Sequence, residues 1–103
     1  MEIETKEPTL PFNLKSTKPD GVSVIFDNPR LTRDFDSTWP FVFITLHFAA
    51  NVDVNAVARW LFDKLSSCKG TQTTYKKTKV KIEFMALKIV IEKEIKIHKK
   101  EQP

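Results

Sequence analysis

Phe41-Val42-Phe43-Ile44-Thr45-Leu46-His47-Phe48 is the most strand-like stretch of the chain. Its even positions are Val, Ile, Leu and Phe, and its odd positions are Phe, Phe, Thr and His. Successive side chains of a strand point to opposite faces, so both faces here are largely apolar. That pattern predicts a strand covered on both sides. One cover is a helix; the other is the N-terminal segment or a second copy of the chain.

The helix follows directly. Asn51 or Asp53 is placed to cap it, and Val54, Val57, Ala58, Leu61, Leu65 and Cys68 gather on one stripe, with Phe62 at its margin. Gly70 suits the C-terminal cap. Trp60 stands off the stripe, about 120° from its centre. Cys68 on the apolar stripe reads as a buried structural thiol.

Upstream, the turn Pro19-Asp20-Gly21 leads into Val22-Ser23-Val24-Ile25-Phe26, a short β-branched strand stopped by Asp27-Asn28-Pro29. Residues 27–40 read as a polar loop closed by Trp39-Pro40. Residues 1–19 carry Pro8, Pro11 and Pro19 and read as an extended N-terminal arm, with Leu10, Phe12 and Leu14 alternating as if along a sheet edge. Residues 20–103 then form a single domain.

Downstream, residues 76–84 read as a strand with Val80, Ile82 and Phe84 on the inner face. Leu87, Ile89, Ile91, Ile95 and Ile97 alternate on the opposite parity. The flip at Met85-Ala86 implies a bulge, a tight connection or a helix start. The density of Ile and Val favours a strand. The competing reading is a helix with Leu87, Val90, Ile91 and Ile95 on one face. The expected fold is α+β: a small antiparallel sheet of about four strands, in the order β-β-α-β-β, with one amphipathic helix packed on one face.

Composition narrows the function. The 103 residues are 41% hydrophobic and 29% charged, enough for one core, and no apolar run is long enough for a membrane span. The N-terminal residues lack a basic and then apolar leader, and a single cysteine excludes a disulfide framework within one chain. The expected setting is cytoplasmic, or nuclear in a eukaryote, and not secreted. Charge is uneven: residues 1–51 hold five basic and seven acidic residues, whereas residues 52–103 hold twelve and six.

Catalytic signatures are absent. His47, His98 and Cys68 are the near-neutral acid–base and thiol groups, and no local motif joins them. Asp34 and Asp36, with Asp27 nearby, could present carboxylates to a hard cation, but loop solvation accounts for them. Neither Gly21 nor Gly70 belongs to a phosphate-cradling loop. The reading is therefore non-catalytic, with no metal, no cofactor and no small-molecule substrate.

Two stretches suggest binding. Lys69-Gly70-Thr71-Gln72-Thr73-Thr74-Tyr75-Lys76-Lys77-Thr78-Lys79-Val80-Lys81 holds five lysines and no acid. On a strand, Lys77, Lys79 and Lys81 would share one face, roughly 6.8 Å apart, above a buried row of Val80, Ile82 and Phe84. Such a ribbon suits nucleic-acid phosphates, with Tyr75 stacking on a base and Lys69 and Lys76 extending the patch, or an acidic protein surface. Solvation and edge protection are the other use of such lysines. The second stretch is aromatic: Trp39, Phe41, Phe43 and Trp60 form an apolar surplus suited to a protein interface or a homodimer. The sequence is thus read as a small binding protein that acts by occupancy, on nucleic acid through residues 69–81 or on a partner protein as a regulator or inhibitor, of a kind a mobile element could encode.

Overall fold

The computed structural model describes residues 1–26 and 42–101, with side chains through Ile97. Among these residues the fold is α+β, with five antiparallel strands and three helices. The elements are β1 (Glu2–Thr5), α1 (Leu10–Thr17), β2 (Val22–Phe26), β3 (Val42–Phe48), α2 (Val54–Ser66), β4 (Gln72–Tyr75), β5 (Thr78–Val80) and α3 (Phe84–Glu101). The sheet order is β2-β3-β1-β4-β5.

Residues 1–19 are not an extended arm. Met1, Ile3 and Thr5 point inward while Glu2 and Glu4 point out, so the segment has a strand's alternation. It becomes the central strand, pairing Ile3 with Ile44 on one side and with Thr73 on the other. Leu10–Thr17 is a helix with Pro near its first position, where a missing N–H costs nothing. Leu10 and Leu14, one turn apart, go into the core.

Strand β3 buries Val42, Ile44, Leu46 and Phe48, as its even parity requires. Its odd face differs from expectation, because Phe43 is 68% exposed and His47 is exposed as well. All three helices send their apolar residues into the same core as the inward strand residues. The opposite sheet face therefore carries Ser23 and Ile25, then Phe43, Thr45 and His47, then Glu2 and Glu4, then Gln72 and Thr74, and finally Lys79.

Helix α2 begins at Asp53, whose carboxylate accepts from the Ala56 N–H at 3.2 Å. Trp60 is buried too, at 9% exposure, and its indole N–H donates to Thr17 Oγ1 at 3.0 Å. The off-stripe position is where α1 docks. At the entry to β2, Gly21 adopts φ +87°, and a Cβ there would meet Val52 Cγ1 at 2.6 Å. Only glycine serves that turn.

Residues 84–101 form a helix, and the strand reading is overturned. Leu87, Val90, Ile91, Glu94 and Ile95 are buried, at helical spacing, while Ile89 is exposed. Strand propensity spans about 1 kcal/mol. Burying an aliphatic side chain contributes about 1.5–3 kcal/mol, and four of them outweigh that preference. The parity flip at Met85-Ala86 marks the first turn of this helix. No helix among the described residues is long and apolar enough to cross a membrane.

Candidate functional site: the lysine hairpin

The ribbon expected over residues 76–84 is instead a tight hairpin. Strands β4 and β5 pair Thr73 with Val80, Thr74 with Lys79 and Tyr75 with Thr78, so Lys76 and Lys77 are the two residues of the turn. Both adopt positive φ, 50° and 66°. Two-residue hairpin turns of type I′ need this conformation at both positions and usually use Asn-Gly. Thr73 anchors the hairpin, donating its hydroxyl to the Val80 carbonyl at 2.6 Å. At the opposite end of β4, the Thr5 and Thr71 hydroxyls bond at 2.8 Å, and Thr5 Oγ1 also accepts from the Glu7 N–H.

The regular comb of Lys77, Lys79 and Lys81 is thereby corrected. Lys76 and Lys77 stand at the tip, Lys79 on the open sheet face opposite Thr74, Lys81 just past β5, and Lys69 just before β4. All five are exposed. Among the described residues none of the five is ion-paired to a carboxylate. Beneath them Val80, Ile82 and Phe84 all pack against the core as expected, although Ile82 lies in the connection and Phe84 opens α3, with the Arg59 guanidinium 5.9 Å from its ring centre. Glu83 shares a shallow groove of about 310 Å³ with Lys79 and Lys81.

Tyr75 does not face outward for stacking. It shares the inner parity of Thr73, packs against the core, and has the Lys76 ammonium 5.6 Å from its ring centre. Its hydroxyl is buried without a partner, and so is Glu94 Oε2 from α3. A buried polar atom left unsatisfied costs about 1–3 kcal/mol, and more when charged. Burial first, and the Glu94 carboxylate second, push the Tyr75 pKa above its ordinary value. Glu94 Oε1 lies 3.5 Å from the Met1 amino group. Both orphaned atoms belong to residues lining a cleft of about 440 Å³ between the hairpin tip and α3, bounded also by Met1, Lys76, Lys77 and Ile97. The sequence signal for this cleft is slight: one acid at the helical spacing of an apolar stripe.

The aromatic residues part company. Trp60 is a core residue and offers no outward anchor, while Phe43 does lie on the open face. Trp39 and Phe41 lie outside the described residues, as do Asp27, Asp34 and Asp36. Cys68 packs against the helix-side core, whereas His47 is on the other face of the sheet, so the fold does not bring thiol and imidazole together.

The chain matches no protein-family model, no curated protein and no solved structure.

Proposed function

We propose that the protein is a non-catalytic nucleic-acid-binding protein that contacts phosphates through the β4–β5 hairpin. The observation that carries this reading is the turn. Two consecutive lysines occupy a backbone conformation that costs side-chain-bearing residues about 1 kcal/mol or more each. An uncharged Asn-Gly turn would fold better, so the ammonium groups are there for something other than folding. Three more unpaired lysines continue the positive band along the same hairpin. Glu2 and Glu4 run down the middle of the open face, so a polyanion is repelled from the sheet surface and confined to the hairpin edge.

The test is the salt dependence of binding. With about four phosphates neutralised, log affinity falls against log salt with slope near −3.6 for a duplex and near −2.8 for a single strand. Lys77→Glu with Lys79→Glu abolishes binding and leaves unfolding unchanged. Absence of binding to any RNA or DNA at low salt removes the reading.

A second reading has its own observation. Phe43 and Ile25, at 68% and 55% exposure, leave an apolar patch on the open face of the sheet at β2–β3. That patch suits a partner protein or a second copy of the chain.

A further inference from the structure

The cleft beneath the hairpin tip has an ordered polarity. Lys76 and Lys77 are exposed and stand at its mouth. Glu94 is 9% exposed, and its Oε2, like the Tyr75 hydroxyl, is buried and unpartnered in the depth. Ile97 and the Met1 side chain supply apolar walls, the Met1 amino group holds Glu94 Oε1 at 3.5 Å, and Glu2 and Thr74 complete the lining. A cation alone satisfies the depth but is repelled at the mouth; a simple anion does the reverse. The complementary molecule is anionic at one end and carries hydrogen-bond donors at the other.

We propose that this cleft receives an unpaired guanine nucleotide, with its phosphate on Lys76 and Lys77; the proposal rests on the hairpin being the phosphate contact. Guanine presents N1–H and the exocyclic N2 amino group side by side, and Glu94 Oε2 accepts from that donor pair. The Tyr75 hydroxyl donates to the adjacent O6. Adenine and cytosine place their one amino group beside a ring acceptor, and uracil and thymine place one N–H between two carbonyls, so each sets an acceptor against the carboxylate. The Tyr75 hydroxyl is protonated at neutral pH, as a donor must be, and burial moves its pKa further upward. Glu94 Oε2 and the Tyr75 hydroxyl are both closed to solvent, so entry requires the Lys76 side chain to leave the Tyr75 ring, where its ammonium now sits, to uncover them and to take the phosphate instead.

The experiment compares short single-stranded oligouridine with the same oligomer carrying one central guanosine, on the full chain, together with titrations of free GMP and AMP. The guanosine-containing strand is expected to bind between about fivefold and a hundredfold more tightly, the discrimination a good bidentate contact provides. Glu94→Gln and Tyr75→Phe each reduce that ratio towards one without changing the salt slope, whereas Lys76→Glu with Lys77→Glu weakens both strands together. A ratio of one in the wild type overturns the guanine site and leaves the lysine contact standing. A ratio that survives both Glu94→Gln and Tyr75→Phe also overturns it. If no oligonucleotide binds, the lysine contact fails, and free GMP then judges the cleft by itself: binding that exceeds AMP and is lost in Glu94→Gln supports it, and no binding ends it.

Discussion

Lys76 and Lys77 set stability against binding within two residues. Replacing them by Asn and Gly puts residues that tolerate positive φ at both positions, and should stabilise the fold by about 1 kcal/mol or more. The same change removes two ammonium groups from the tip and should weaken nucleic-acid binding. Chemical denaturation and a salt titration on one variant measure both effects; stronger folding with undiminished binding would remove the tip from the contact. Tyr75 makes a separate prediction. Its pKa is raised in the folded state above the ordinary 10.0, so the protonated form is the one that folding favours. The associated stability is complete below the unfolded value and is lost as pH rises through the folded value. The unfolding midpoint should therefore drop in alkali, and Tyr75→Phe should flatten that drop. An identical slope in the variant would mean that Tyr75 ionises alike folded and unfolded.

Among the elements, the α1–α2 contact is the one most exposed to a single substitution. Trp60→Ala removes a buried ring and should cost about 3–5 kcal/mol. Thr17→Val removes the acceptor of the indole N–H, together with the hydroxyl's own donation to the Asn13 carbonyl at 2.7 Å, and should cost about 1–3 kcal/mol. Calorimetry of both variants checks the order; a near-neutral Trp60→Ala would place the ring on a surface after all. The same contact explains part of what could be read beforehand. Strands β2 and β3 and helix α2 declare themselves, because each has an unambiguous period and a flanking turn or cap. Trp60 looked displaced because its neighbour, α1, was hidden by three prolines that also suit an extended arm. β1 was missed although Met1, Ile3 and Thr5 alternate with two glutamates, since a strand of four residues gives only two repeats of its period. α3 was misjudged because its isoleucines fit both periods, and only packing against α2 chooses between them. The lysine band was legible from composition, but its hairpin was not: a Lys-Lys turn lacks the Asn or Gly that announces one.

Over the whole molecule, the open sheet face is graded: apolar at β2–β3, acidic along β1 and basic at β5. The apolar end carries the self-association prediction. Phe43→Glu touches an exposed side chain, so stability should stay within about 0.5 kcal/mol of wild type. If the patch joins two copies, sedimentation of the wild type shows concentration-dependent association that this substitution removes; a wild type that stays monomeric ends the homodimer version of the second reading. The placement of β1 bears on how the molecule is assembled. Its two neighbours, β3 and β4, come some forty and seventy positions later in the chain, as the pairs Glu2–Thr45 and Glu2–Thr74 record. During translation one edge of the strand can close once β3 has been made, but the other must wait, unzipped, until the ribosome has passed Tyr75. The middle of the sheet is then among the last parts to close, a topology associated with slower folding than local helix formation alone.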